Sequence, residues 1–123
     1  YDRSIARRRE IASRYDERLT TIPSLKLPPS PGSDPDRFDI FQNYEMQAEH
    51  RDELREYLNG AGVGTMIQWG GKPVHQFREL GFTQSLPKTD AFFTRCLMLP
   101  MNPMLSDEDV DYISETIRSF YGR

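Results

Sequence analysis

The chain has 123 residues, of which 37% are hydrophobic and 28% charged, and its formal net charge is −3. That length makes one domain able to bury roughly two thirds of its unfolded surface, and the modest apolar content suits a thin layer of sheet and helices. The acidic balance excludes nucleic acid as a general partner, since phosphate binding draws on clustered Lys and Arg.

The run Arg7-Arg8-Arg9 is interleaved with acids, and reads as the solvated face of a helix. Cys96 is the only cysteine, so no disulfide forms within the chain, and a reduced, cytoplasmic setting is expected. It sits in the apolar run CLML and reads as a buried, inert thiol. No apolar run approaches the ~20 residues that span a bilayer, and no signal peptide is evident. The first residue is Tyr1, already inside a helical pattern, so a piece of a longer polypeptide is expected.

Ile5, Ala12, Tyr15 and Leu19 recur near helical spacing and Pro23 stops the segment, which predicts a helix over 2–19. Residues 27–36, LPPSPGSDPD, form a turn-rich loop. From Phe38 to Ala48 every second residue belongs to one face, predicting a strand with one buried side. HRDELREYLNG then predicts a helix with Leu54, Tyr57 and Leu58 on one side and Gly60 as its C-terminal cap.

Alternation over Val63, Thr65, Ile67 and Trp69 predicts a second strand, and Pro73 opens a short helix that carries His75 and ends at Gly81. Thr89 caps a brief helix through Arg95, and residues 96–99 make a third strand. Ser106 is a good N-cap with Asp109 at the capping-box position, and Leu105 and Val110 form a hydrophobic staple. Val110, Ile113, Ile117 and Phe120 supply the apolar stripe of the last helix, with Arg118 near its C-terminus. The alternating strands predict an α+β, two-layer domain with a mainly antiparallel sheet covered by helices.

The densest polar cluster lies in 62–82, GVGTMIQWGGKPVHQFRELGF, which gathers Gln68, Trp69, Lys72, His75 and Gln76 around Gly70-Gly71. Glycines let backbone N–H groups approach a ligand closely, Lys72 can hold a phosphate as a point charge, and Trp69 can stack on a sugar or base. His75 and the two glutamines suit hydroxyls and carbonyls. Taken together they read as the binding loop for an anionic, hydroxyl-rich ligand. His50 reads as a capping or surface residue. Two distant histidines and one cysteine make no zinc site, and neither a Ser-His-Asp pattern, a phosphate-loop lysine nor a dinucleotide glycine fingerprint is present. No catalytic residue is assigned.

RRREIASRYDERL, NYEMQAEHRDELREYLNGAGVGTMIQWGGKPVHQF and LMLPMNPMLSDEDVDYISETIRSF together resemble the C-terminal small domain of the DegT/DnrJ/EryC1/StrS sugar aminotransferases. The resemblance covers nearly all of residues 1–123. IQWGGKPVHQF is similar to members acting on thymidine-diphosphate-linked 3-keto-6-deoxyhexoses. The resemblance implies an enzyme of the aspartate-aminotransferase fold type using pyridoxal 5'-phosphate, usually a homodimer, that moves an amino group, commonly from glutamate, to a nucleotide-linked keto sugar in deoxyaminosugar biosynthesis.

It further implies that the Schiff-base lysine lies in a large domain upstream, so that Lys26, Lys72 and Lys88 are not that residue and the fragment alone is inactive. His75 matches the family histidine that approaches sugar and cofactor, Lys72 and Gln76 are its neighbours, and Gln68 and Trp69 line the approach. The family often has histidine where this chain has Asn102, so no catalytic role is carried over to that loop. The competing expectation is a non-catalytic α+β binding or regulatory module derived from the same family.

Overall fold

A computed structural model describes residues 2–36, 38–67, 73, 76, 79, 81 and 85–122. The elements in chain order are α1 (Asp2–Leu19), β1 (Leu25–Lys26), β2 (Tyr44–Ala48), α2 (Arg51–Gly60), α3 (Pro87–Arg95), β3 (Cys96–Leu99) and α4 (Asp107–Tyr121). The three strands form one antiparallel sheet in the order β1-β2-β3. The predicted α+β class and antiparallel pairing are therefore what the chain adopts.

Period-2 patterning explains the buried face. Tyr44, Met46 and Ala48 are buried while Glu45 and Gln47 between them are half-buried. The register sets Tyr44 opposite Leu99 and Met46 opposite Leu97, so the apolar residues of both strands share one face. Ile11, Ala12, Tyr15 and Leu19 of α1, Leu54 and Leu58 of α2, and Val110, Ile113 and Ile117 of α4 complete a single core.

The start of α4 is as its sequence predicts: Ser106 Oγ accepts from the Asp109 N–H, and Asp109 Oδ2 accepts from the Ser106 N–H, both at 3.0 Å. α1 and α4 are then bound across their polar edges. Arg14 meets both carboxylate oxygens of Asp111 at 2.8 and 3.0 Å, and Arg18 Nε lies 2.6 Å from the same carboxylate.

Four local expectations are corrected. The strand predicted from Phe38 begins only at Tyr44: Phe41 takes φ 53° and its N–H donates to Asp39 Oδ1 at 2.7 Å, which breaks the alternation. The strand predicted over 63–69 is, among the described residues, a single antiparallel bridge between Met66 and Met98, with N–H···O bonds of 3.2 and 2.8 Å. Helix α3 starts at Pro87, two residues before Thr89, because proline fits the first helical position. Gly60 closes the body of α2 rather than capping it; the left-handed turn falls on Gly62, with φ 84°.

The arginine run also departs from its expected role. Arg7 Nη2 donates to Leu105 O at 2.7 Å, Arg8 Nη1 to Gln42 O at 2.9 Å and Met101 O at 3.0 Å, and Arg9 Nη1 to Asp39 O at 2.6 Å. Arg9 also stacks 4.1 Å from the centroid of Phe38. A guanidinium has five donors in a fixed fork, so the run works as a clamp on two loops instead of a solvated face.

Candidate functional site

The two ends of the sheet differ in what they present. At the end where β2 begins and β3 finishes, the segments 38–43 and 100–105 meet under the arginine clamp. At the opposite end β2 runs out at Ala48, α3 enters β3 between Arg95 and Cys96, and the antiparallel bridge at Met66 directs the chain past Ile67 toward that same end. The sequence predicted to hold a ligand follows Ile67, the last residue described before it.

Of its candidate residues, Gln68, Trp69, Lys72 and His75 lie outside the described residues, as does most of the helix expected to carry His75. Gln76 is described. Its backbone N–H donates to Pro73 O at 3.0 Å, Pro73 is buried, and its side-chain amide donates to Asp90 Oδ1. Asp90 stands in the first turn of α3, where an acid complements the helix dipole, and its own N–H donates to Leu86 O at 2.9 Å. Nothing in the sequence pairs residues fourteen apart across two elements, so Asp90 was not foreseen as part of this region.

Beside this end lies a cleft of about 390 Å³ lined by Ala48, Glu49, His50, Arg51, Thr94 and Arg95, among others. Arg51 is committed there: Nη1 donates to Cys96 O at 2.8 Å and Nε to Asp52 Oδ1 at 2.7 Å. His50 is exposed, adopts φ 55° at the head of α2, and makes no side-chain capping bond. Glu49, Asp52 and Glu53 line the same space, so the cleft has mixed charge. A larger hollow of about 820 Å³ runs along α1 past Ile5, Arg7, Arg9, Arg14, Phe38 and Asp107; Arg7 and Arg14 in it are engaged with Asp107 and Asp111.

The titratable groups are tuned for structure. Burial pushes the Cys96 thiol up, away from the reactive thiolate. Burial raises Tyr15, and raises Tyr44 with help from its bond to Asp16. The hydrogen bond from Arg14 chiefly lowers Asp111. Asn102 Oδ1 accepts from the Met104 N–H at 2.9 Å, which makes it a turn residue. Among the described residues no cluster of three His, Cys, Asp or Glu could hold a metal ion, and no helix is long and apolar enough to cross a membrane. Lys26 and Lys88 are both exposed, so neither sits in an enclosed cradle for a carbonyl cofactor.

Comparison with known proteins gives this arrangement a family. The model of the DegT/DnrJ/EryC1/StrS aminotransferase family matches residues 1–118. The chain is 33% identical to a "Pleiotropic regulatory protein" of Geobacillus stearothermophilus, over 98% of this chain and 33% of that protein. It is 29% identical to a Streptomyces venezuelae dTDP-3-amino-3,4,6-trideoxy-alpha-D-glucose transaminase, over 95% of this chain and 31% of the relative. The solved structure of a putative sugar aminotransferase from Streptococcus pneumoniae in its PLP form superposes with TM-score 0.80 at 26% identity, covering 96% of this chain and 31% of that one. The chain thus spans about one third of the length of the proteins it matches.

Proposed function

The chain belongs to the DegT/DnrJ/EryC1/StrS aminotransferase family, and from that premise we propose that residues 1–123 are the C-terminal small domain of a sugar-nucleotide aminotransferase. The whole enzyme transfers the amino group of glutamate to the keto carbon of a thymidine-diphosphate-linked 6-deoxysugar, glutamate leaving as 2-oxoglutarate, in deoxyaminosugar biosynthesis. The observation that carries this reading is the family match over residues 1–118, supported by the transaminase named among the relatives.

Pyridoxal 5'-phosphate supplies the amino-group carrier when bound. The described residues of this chain do not fit it, since both described lysines are exposed, so its site and the Schiff-base lysine belong to the rest of the parent polypeptide. The parent works as a homodimer in the cytoplasm. This chain's part is to orient the substrate and exclude water. Lys72 meets the diphosphate, Trp69 packs on the sugar or base, and Gln68, His75 and Gln76 bind sugar hydroxyls. The anchoring of Gln76 to α3 supports that assignment, because a binding group needs a fixed support.

The test is the parent reading frame. It must encode a large domain with a Schiff-base lysine, and its product must aminate a thymidine-diphosphate-linked 3-keto-6-deoxyhexose with glutamate as donor, while residues 1–123 alone show no cofactor absorbance. A full-length His75→Ala enzyme with unchanged substrate affinity and turnover removes the loop assignment. The regulatory name of the Geobacillus relative favours a second reading, a non-catalytic module. A parent frame without the upstream lysine would establish it.

A further inference from the structure

α1 overruns the body it packs on. Its first buried residue is Ile11, and Arg7, Arg8 and Arg9 before it already hold the segments 38–43 and 100–105 at the end of the sheet. Residues 2–6 therefore stand ahead of the clamp by about 7 Å, at roughly 1.5 Å per residue, and Asp2, Arg3, Ser4 and Ala6 among them are exposed. Around the foot of this projection the clamped segments turn apolar side chains outward. Phe38 is 68% exposed, Ile40 36% and Met104 87%, which makes three of the six exposed large apolar side chains among the described residues. Phe38 lines one hollow with Asp2 and Ile5 of the projecting turns, and Arg9 stacks on its ring. The backbone of this end is satisfied by arginines while its apolar side chains stay uncovered.

Resting on the reading above that this chain is the C-terminal part of a longer enzyme, we propose that the clamped end is the docking surface for the large domain of the same polypeptide. The chain spans about one third of the length of the proteins it matches, and on that reading the rest of the parent arrives at Asp2, in the hollow it shares with Phe38. Phe38, Ile40 and Met104 together expose on the order of 400 Å², short of the ~800 Å² per partner that a separate protein or a second copy buries in a standard interface. A domain joined covalently at the edge of the patch loses little further translational or rotational freedom on docking, so a patch of this size suffices for it. The clamp also prepares the surface. Arg8, bound to Gln42 O and Met101 O, holds both segments in place before any contact is made, which lowers the ordering cost of docking.

The experiment uses the full-length parent. With the photoreactive analogue p-benzoylphenylalanine in place of Phe38, illumination is expected to link that position to a peptide from the sequence upstream of Tyr1. The product should run as one chain on a denaturing gel, with the linked peptide located by mass spectrometry. A second measurement needs no substitution: in the unaltered parent, hydrogen peroxide should oxidise Met104 about tenfold or more slowly than in the urea-unfolded parent, since oxidation follows exposure. A cross-link to a second copy, no cross-link to protein, or Met104 oxidised at the unfolded rate would each overturn the proposal. A parent frame without a large domain and its Schiff-base lysine removes the enzyme reading and this inference with it. A parent that aminates the sugar nucleotide while position 38 links elsewhere removes this inference alone.

Discussion

Tyr44→Phe tests how α1 is fastened to the sheet. Tyr44 is fully buried, its ring centroid is 4.9 Å from that of Tyr15, and its hydroxyl donates to Asp16 Oδ1 at 2.6 Å. Asp16 Oδ2 has no partner among the described residues, so among them this hydroxyl is the one side-chain donor to that carboxylate. Phenylalanine keeps the ring and its packing and removes only the bond. A bond to a charged group contributes about 1.5–3 kcal/mol. Asp16 is half-buried, so water recovers part of the loss and the lower figure applies. For 123 residues the unfolding entropy is about 0.26 kcal/mol/K, which converts about 1.5 kcal/mol into a fall in Tm of about 6 °C.

A double-mutant cycle separates the bond from general damage. Asp16→Ala strands the Tyr44 hydroxyl inside the core, at a cost of about 1–3 kcal/mol. The combined variant removes both groups, so its loss should fall short of the sum of the two singles by about 1 kcal/mol. Calorimetric or chemical unfolding at neutral pH measures all three. The reasoning fails if Tyr44→Phe stays within about 0.5 kcal/mol of the natural chain, the scatter expected of an inconsequential change, or if the two losses simply add.

Ser114→Ala should stabilise the chain by up to about 1 kcal/mol, because Ser114 Oγ is buried without a partner among the described residues and alanine suits a helix better; a fall in Tm would reveal an unseen partner. Asp111 is held below the usual carboxylate range by the Arg14 hydrogen bond first, so its contribution is complete above its unfolded value and disappears as pH falls toward the folded one. Asp111→Asn should accordingly lower Tm at pH near 7, and its gap to the natural chain should narrow as pH falls below the usual carboxylate range. Glu45 has the opposite sign: burial raises it, its ionised form is disfavoured in the fold, and stability is lost as pH rises through that interval. Glu45→Gln should therefore raise Tm at neutral pH with little effect in acid. Cys96, buried and pushed up, should resist iodoacetamide in the native chain and react at the rate of global unfolding.

The elements most legible in the sequence were those with enough periodic residues to state their own case. α1, α4 with its Ser106–Asp109 box, and β3 all lie where pattern and capping chemistry put them. β1 was invisible, because two residues cannot display a period and their pairing with Gln47 and Ala48 is set by the turn after Ile22. The strand over 38–43 was overestimated since alternation says nothing about carbonyls claimed by Arg8 and Arg9 from another element. The same blindness hid the arginine clamp, in which donor and acceptor are 30 to 98 residues apart. At the candidate site, Gln68, Trp69, Lys72 and His75 lie outside the described residues, so of the predicted cluster only the surroundings of Gln76 can be compared with the sequence. The partner of Gln76 could not be read from it, because Asp90 looks like an ordinary acid in a helix's first turn.

The distribution of arginines distinguishes the two ends of the sheet among the described residues. At the end where β3 finishes, arginine donors from α1 are spent on backbone carbonyls of 39–42, 101 and 105, and Asn102 Oδ1 accepts from the Met104 N–H, so that end is bound to itself. Its carbonyls would otherwise lack the regular ladder partners that a strand gives, and the clamp satisfies them. At the other end a single guanidinium, Arg51, holds the Cys96 carbonyl and so fixes where α3 becomes β3. α3 itself has no buried side chain, so the core does little to set its position, and the bond between Asp90 and Gln76 ties it to the polar loop instead.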